Sequence, residues 1–190
     1  MHRYLLSELK AAYGVSIGLG YALVKSMGID PRTTLRVSGG CIGVGHVRFI
    51  SNGLYELDPY GEIALIIPTK FNGIYPEDLV AIKSNGDWAR RTGGGDYLGE
   101  EQIDICKMSG DYLYVFPGPL PLLQAGWPGC VPLTKAAFSK LGRYGKDFEL
   151  VAPDTSFGNR IVDGMSEPIM QQLKNLPEVR VTVPVLEAAE

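Results

Sequence analysis

The sequence predicts an α+β fold, with a mostly antiparallel sheet of short strands, an N-terminal helix and two further short helices. Three observations lead to this class: an apolar helical stripe opens the chain over residues 4–27, short apolar runs follow it, and these runs cluster instead of alternating with helices. The chain has 190 residues, of which 45% are hydrophobic, which is enough for a sizeable core. We therefore expect a single compact domain over residues 1–190.

The N-terminal helix is predicted from apolar residues that recur at every fourth position. The stripe consists of Leu5, Leu9, Tyr13, Ile17 and Tyr21. This spacing places the five side chains on one helix face, where they can pack against a core. Gly28 is a favourable helix end, because glycine readily adopts the left-handed conformation of a C-cap.

Short apolar runs bounded by Gly, Pro, Asn and Asp predict the strands. The predicted strands cover residues 33–38, 44–51, 54–57, 62–67, 79–83, 103–107, 111–116, 148–152 and 179–185. The tripeptide Ser51-Asn52-Gly53 separates two of these runs and is a hairpin signal, since Asn and Gly accept the positive φ of a tight turn. Antiparallel neighbours are therefore expected in this part of the chain.

A proline-dense segment over residues 117–132 predicts an irregular loop. Proline removes a backbone donor and clashes with the preceding turn, so neither a regular helix nor a central strand is expected there. The segment is nevertheless apolar, and its large side chains are Leu120, Leu122, Leu123 and Trp127. A loop has no periodic face with which to bury them, so we expect an exposed apolar patch and self-association as a homo-oligomer.

Capping residues predict the two further short helices. Thr134 can cap a helix through Leu141, which Gly142 would end. The second helix is predicted over residues 166–176, with Ser166 as its cap and Pro168 in its first turn.

Composition and charge limit the classes of partner. The formal net charge is -3, with 21 acidic against 18 basic residues, so no nucleic-acid partner is expected. The apolar stretch over residues 15–24 is shorter than the roughly 20 residues that a membrane span requires, so no membrane partner is expected. Three cysteines without paired spacing indicate a cytoplasmic chain. No Cys-x-x-Cys occurs and the two histidines lie far apart, so no metal site is expected. The sequence does not identify a cofactor, which stays unknown.

The first candidate site is the glycine-rich segment over residues 38–46. Gly39, Gly40 and Gly43 leave backbone N–H groups accessible, and such a loop can bind an anionic substrate group. Cys41 and His46 form a candidate nucleophile and base. The alternative is that Cys41 is a small buried residue, the glycines mark a bulge and His46 satisfies a polar contact.

The second candidate site is the segment over residues 153–160, which follows a predicted strand. Asp154 is a candidate catalytic base, and Ser156, Asn159 and Arg160 are candidate substrate-binding residues. An arginine at such a place can bind a carboxylate or phosphate with two hydrogen bonds. The alternative is a turn in which Asp154 and Asn159 bond to their own backbone.

Together, the two loops favour a metal-independent enzyme that acts on a small anionic or carbonyl-bearing metabolite. The alternative hypothesis is a non-catalytic ligand-binding or structural subunit of a homo-oligomer. The apolar proline-dense segment favours this alternative, because it predicts an interface. The expected partner is a small-molecule ligand.

Overall fold

The structure is a computed structural model, and it describes residues 4–14, 17–37, 42–144, 147–166 and 179–181. The α-helices of these ranges are α1 (Tyr4–Tyr13), α2 (Ile17–Ser26), α3 (Glu100–Ser109), α4 (Pro119–Gln124), α5 (Lys135–Tyr144) and α6 (Thr155–Ser166). Short 3₁₀ turns cover Pro31–Leu35 and Ser51–Gly53.

The strands form two larger sheets and one small hairpin. In chain order they are β1 (Gly43–Ile50), β2 (Leu54–Leu57), β3 (Glu62–Pro68), β4 (Phe71–Asn72), β5 (Tyr75–Pro76), β6 (Leu79–Lys83), β7 (Trp88–Arg90), β8 (Tyr97–Leu98), β9 (Leu113–Val115), β10 (Gly129–Pro132), β11 (Leu150–Ala152) and β12 (Val179–Val181). The hairpin consists of β4 and β5.

The first sheet is a closed barrel and the second is largely parallel. The barrel has the order β1-β2-β7-β6-β3, and its neighbours are antiparallel except for β2 and β7. The second sheet has the order β12-β11-β9-β10-β8, and only the pair of β10 and β8 is antiparallel. The α+β class, the N-terminal helix and the mostly antiparallel pairing are confirmed. The parallel pairing in the second sheet was not among the predictions.

Alternating side chains give the barrel two apolar faces. Side chains from all five barrel strands, Tyr55 and Ile66 among them, form one cluster with α1. The neighbouring positions Leu65 and Val80 belong to a second cluster, which also takes in residues of α2, α4, β8 and β10. Strands that are buried on both faces read as continuous apolar runs, which explains the sequences of β3 and β6.

The second sheet lies between the barrel and a layer of three helices. One face packs against α3, α5 and α6 through buried residues such as Ile103, Leu141 and Ile161. Leu98 and Val131 of the same sheet lie instead in the cluster that contains barrel residues. The barrel and the second sheet therefore share apolar side chains across their junction.

The proline-dense segment is regular, which corrects the sequence prediction. Residues 119–124 form α4 and residues 129–132 form β10. Pro119 begins the helix and Pro121 lies in its first turn, where backbone N–H groups have no intrahelical partner, so no hydrogen bond is lost. Leu122, Leu123 and Trp127 are buried. The expected exposed patch is wrong, and with it the argument for self-association.

Three further local predictions differ from the structure. The predicted helix over residues 4–27 is divided into α1 and α2. The predicted strand over residues 33–38 begins with a 3₁₀ turn, in which the carboxylate of Asp30 accepts a hydrogen bond from the backbone N–H of Arg32. The predicted strand over residues 103–107 lies in α3, because Ile103 and Cys106 are buried at helical spacing. The helix predicted after Thr134 is confirmed, but it continues through Gly142, its predicted end, to Tyr144. The helix predicted over residues 166–176 falls on positions beyond Ser166 that are outside the described residues.

A buried carboxylate joins the barrel to the loop that leads into the second sheet. Asp78 is fully buried, and its Oδ1 atom accepts hydrogen bonds from the backbone N–H groups of Leu79 and Thr92, each at 2.8 Å. Its Oδ2 atom accepts the N–H of Gly95 at 3.4 Å. The side chain of Thr69 completes the cluster, since its Oγ1 atom accepts the N–H of Asp78 at 2.9 Å. Backbone donors thus stabilise this charge and fix the segment 91–95.

We expect Asp78→Ala to lower the free energy of unfolding by roughly 3 kcal/mol, because it leaves buried N–H groups of Leu79 and Thr92 without acceptors. Asp78→Asn should cost less, since one oxygen remains. The measurement is urea unfolding followed by circular dichroism. Asp111→Ala, at an exposed position, is the matched control and should change stability by no more than about 0.5 kcal/mol. Equal effects for Asp78→Ala and Asp111→Ala would contradict the proposed role of the carboxylate.

Two buried tyrosines predict a loss of stability at alkaline pH. Burial raises the pKa of the Tyr55 and Tyr97 phenols above the ordinary value of 10.0. The unfolded chain therefore releases these protons first, so the stability that they contribute is complete below pH 10 and falls as the pH rises. The loss should reach about 1.4 kcal/mol per tyrosine at one unit above the ordinary pKa.

Tyr55→Phe tests this pH dependence. The Tyr55 hydroxyl is buried and has no hydrogen-bond partner among the described residues, so its removal should not destabilise the protein at neutral pH. At pH 11 the variant should retain about 1.4 kcal/mol that the parent protein has lost. Tyr60→Phe is the control, because Tyr60 is 98% exposed. Urea unfolding at pH 8 and pH 11 measures the difference, and identical pH profiles for the parent and Tyr55→Phe would refute the prediction.

Candidate functional site at the carboxyl ends of parallel strands

The strand order of the second sheet indicates where a ligand would bind. From β9 the chain passes through α4 to β10 on one side, and then through α5 to β11 on the other side of β9. In open sheets with parallel strands, ligands bind beyond the carboxyl ends of the strands at the point where the strand order reverses. That point lies here between β9 and β11.

A cleft occupies this position. It has a volume of about 250 Å³ and is lined by Tyr114, Val115, Phe116, Ala125, Pro128, Val151, Ala152 and Pro153. The lining comes from the carboxyl ends of β9 and β11 and from the loop between α4 and β10. Two aromatic rings and two prolines give the cleft a flat, apolar character. Such a surface can bind a ring by stacking.

We call residues 125–128, which connect α4 to β10 and contribute Ala125 and Pro128 to the lining, the loop wall. A buried tryptophan holds this loop in an uncommon conformation. Trp127 has a φ of 69°, which non-glycine residues seldom adopt. Its indole Nε1 donates to the carboxylate of Glu101 at 2.6 Å, and its backbone N–H donates to the carbonyl of Leu122 at 3.0 Å. These bonds and the burial of the ring stabilise a backbone geometry that would otherwise relax. Strained residues of this kind cluster at functional sites.

A glycine allows the strands behind the cleft to approach closely. A Cβ atom at Gly129 would lie 2.0 Å from the carbonyl oxygen of Tyr114, which no side chain can accommodate. Gly129 pairs with Tyr114 where β10 runs beside β9. The N–H of Phe116 then donates to the carbonyl of Cys130 at 2.8 Å. This close pairing sets the positions of Tyr114 and Phe116 in the lining.

Basic side chains lie next to the loop wall. We call residues 25–36 the basic segment, because its exposed charged side chains are Lys25, Arg32 and Arg36 against the single carboxylate of Asp30. Two hydrogen bonds join it to the cleft wall. Gln124 Nε2 donates to the carbonyl of Met27 at 2.9 Å, and Arg36 Nη1 donates to the carbonyl of Gly126 at 3.5 Å.

The structure places two residues of the first predicted site, Gly43 and His46, on the barrel. His46 lies on β1 with its Nδ1 atom 3.0 Å from the carbonyl oxygen of Gly61. Gly43 begins the same strand, and a Cβ atom there would lie 2.5 Å from the Cβ of Ala12, so this glycine makes room for α1. Gly39, Gly40 and Cys41 are outside the described residues, and their predicted roles stay predictions.

The residues of the second predicted site lie at the edge of the cleft. Asp154 follows the cleft residue Pro153, and its Oδ1 atom accepts the N–H of Phe157 at 2.8 Å, so it caps α6. Ser156, Asn159 and Arg160 are exposed on the first turns of α6, and the Arg160 guanidinium lies 5.4 Å from the ring centroid of Phe157. The two predicted sites lie on different parts of the fold: His46 is on the barrel strand β1, whereas Asp154 stands between the second-sheet strand β11 and α6.

Apart from Pro153, the cleft residues are absent from the predicted sites. The lining comes from three separated segments and is apolar, so no cluster of reactive side chains marks it in the sequence. A usable signal was nevertheless present. An apolar strand at 113–115, a helix with proline in its first turn and a second apolar strand at 129–132 form a β–α–β unit.

Within the described ranges, no three His, Cys, Asp or Glu side chains converge as a metal site would need. Cys106 and Cys130 are buried among apolar residues of the second sheet and its helices. Among the described helices, none combines the length and apolar character that a membrane crossing requires.

The fold is that of DNA primase domains. Over 93% of its length the chain is similar to the Aquifex aeolicus primase in a structure of its zinc-binding and RNA polymerase domains, with a TM-score of 0.55 and 14% identity. It is also similar, over 93% of its length, to a DNA primase domain from Pseudomonas aeruginosa, with a TM-score of 0.56 and 12% identity. The chain spans about half of the Aquifex chain, 52%, and 69% of the Pseudomonas chain. No protein-family model and no curated protein sequence matches it.

These likenesses correct the functional predictions. The structural neighbours are domains of DNA primases, so the hypothesis of a small-molecule enzyme, with its alternative of a ligand-binding or structural homo-oligomer subunit, is wrong. The expectation of a small-molecule partner and of no nucleic acid is wrong for the same reason. That expectation used the net charge of -3, which sums the whole chain and carries no information about a local concentration of cations.

The two described cysteines allow a labelling prediction. Burial raises the pKa of both the Cys106 and the Cys130 thiols, and the thiolate is the reactive form. We expect Cys130 to resist iodoacetamide at neutral pH in the folded protein and to react once urea unfolds the chain. Peptide mass spectrometry gives the labelled fraction of each cysteine. Labelling of Cys130 at the same rate with and without urea would show that the second sheet opens readily. Cys41, the candidate nucleophile of the sequence analysis, is compared in the same experiment.

Proposed function

We propose that this chain binds nucleic acid, as part of a primase-like protein. The observation that carries the proposal is the likeness of 93% of the chain to domains of two DNA primases. The likeness extends over both sheets, because the 7% of the chain outside it is too short to contain either of them. The activity of a complete primase is not part of the proposal.

The basic segment supports the proposal by its charge and by its position. Lys25, Arg32 and Arg36 are exposed, and none of them takes part in an ion pair within the described part of the chain. Cations without a carboxylate partner are available to phosphate groups, and release of counterions from the nucleic acid then favours binding. The hydrogen bond from Arg36 to Gly126 places this charge beside the cleft. A phosphate backbone on the basic segment would therefore pass the mouth of the cleft.

We also propose that residues 1–190 form one domain, located in the cytoplasm. The apolar cluster shared by the barrel, α2, α4 and the second sheet supports a single domain. The free thiols of Cys106 and Cys130 support a reducing compartment.

Salt-dependent binding tests the proposal. We expect a labelled single-stranded oligonucleotide of about 20 nucleotides to bind with a dissociation constant of about 1–100 µM near physiological salt, and more tightly at low salt. The double variant Arg32→Ala/Arg36→Ala removes two cations of the basic segment. It should weaken binding and reduce the slope of log K against log salt by about 1.4, since each single-strand phosphate contact contributes about 0.7. Fluorescence anisotropy between about 50 and 200 mM salt gives both quantities.

Arg143→Ala is the matched control for this experiment. Arg143 is exposed near the end of α5, and the chain after this helix enters the amino end of β11, which is the sheet edge opposite the cleft. The variant should keep the affinity and the salt slope of the parent protein. Absence of binding by the parent protein at about 50 mM salt would refute the proposed function. Equal slopes for all three proteins would refute the role of the basic segment.

A further inference from the structure

We propose that the cleft between β9 and β11 binds one unpaired base of a nucleic-acid strand, stacked on the ring of Tyr114. The inference rests on the proposed function and adds to it the form of nucleic acid that the site selects. A base within a duplex is covered on both faces by its neighbours. A site that binds a base face therefore requires a single strand.

The size of the cleft sets the size of the occupant. Its volume of about 250 Å³ lies below the roughly 300–1,000 Å³ of pockets that enclose drug-sized ligands. A single flat ring system fits this space, and the attached sugar and phosphate remain outside. The apolar lining complements the face of such a ring, since every base has a π-face that stacks on an aromatic side chain.

The two aromatic residues of the lining differ in how firmly they are held. Phe116 packs against the cluster shared by the barrel and the second sheet, so its ring forms a fixed wall. Tyr114 is 42% exposed, and its side chain therefore keeps a face open to an incoming ring. Tyr114 lies on β9 and its carbonyl oxygen is packed against Gly129, which fixes its backbone. The backbone of Tyr114 is therefore fixed, while one face of its ring stays open to a nucleobase.

Charge at the mouth of the cleft distinguishes a nucleotide from an apolar peptide side chain. Both would suit the lining, but only a nucleotide brings a phosphate with the ring. Arg36 is hydrogen-bonded to Gly126, which lies between the lining residues Ala125 and Pro128, so the phosphate of a bound nucleotide would have this cation nearby. One bound nucleotide would thus place its base against the apolar lining and its phosphate near the exposed guanidinium of Arg36.

Two tyrosines of similar exposure provide the test. Tyr112 is 47% exposed and lies two positions before Tyr114, but it does not line the cleft. The parent protein, Tyr114→Ala, Tyr112→Ala and Tyr114→Phe are compared for binding to a labelled single strand and to the same sequence as a duplex. In a parallel measurement, the strand carries 2-aminopurine, whose fluorescence is quenched when it stacks on an aromatic ring.

We expect Tyr114→Ala to bind the single strand about 5- to 150-fold more weakly, which is the range measured for loss of one stacking ring. It should also lose the 2-aminopurine quenching and keep the salt slope of the parent protein, because no phosphate contact is removed. Tyr114→Phe should restore affinity and quenching, since the ring is retained. Tyr112→Ala should behave as the parent protein does. Urea unfolding of each variant checks that the fold is intact.

The outcomes separate the inference from the proposed function. If the parent protein binds the single strand but Tyr114→Ala binds equally well, the base site is refuted and nucleic-acid binding stands. Equal affinity for single strand and duplex, without quenching, also refutes the base site and leaves the cleft open to an apolar side chain of a protein. If the parent protein binds neither form of DNA, the proposed function fails and the inference fails with it.

Discussion

The carboxylate of Asp78 is the interaction on which the arrangement of the two sheets depends. It is buried at the start of the barrel strand β6 and accepts backbone N–H groups from the segment 91–95. That segment continues into Asp96, whose carbonyl accepts the N–H of Leu133 at 2.8 Å and whose side chain accepts hydrogen bonds from Thr134 and Lys140. One line of polar contacts therefore runs from the barrel to the end of β10 and the start of α5.

The functional proposals depend on this arrangement because the barrel and the second sheet contribute different parts of one surface. The second sheet supplies the apolar cleft at the ends of β9 and β11. The chain between α1 and β1 supplies the cations of the basic segment, which contacts the cleft wall at Gly126. The shared apolar cluster holds α2 and α4 together behind this contact. An apolar site with a charged approach arises only because both sheets keep their relative position.

The sequence was sufficient to predict four of the five barrel strands and the helix that follows Thr134, because alternating or continuous apolar runs and a Thr134 cap are local signals. The fifth barrel strand, β7, has three residues and was not predicted. The sequence was insufficient where the same residue type favours different structures at different positions of an element. Pro119 and Pro121 exclude a helix interior but suit a first turn, so α4 was taken for a loop. The polar residues at 155–160 suggested a loop and lie in α6. The residues near Asp154 were placed correctly at the end of a strand, whereas the cleft is assembled from distant apolar segments that no local pattern relates.

Closure of the barrel also bears on the behaviour of the chain at high concentration. An open sheet presents a row of unpaired N–H and C=O groups to which a strand of another molecule can add, and this is a common route to aggregation. In the barrel every strand has two neighbours, so no such row exists. On its β8 side, the second sheet ends in a strand of two residues, Tyr97–Leu98, directly followed by Gly99 and α3. A template this short offers an incoming strand few hydrogen bonds, which protects the sheet from edge-to-edge association.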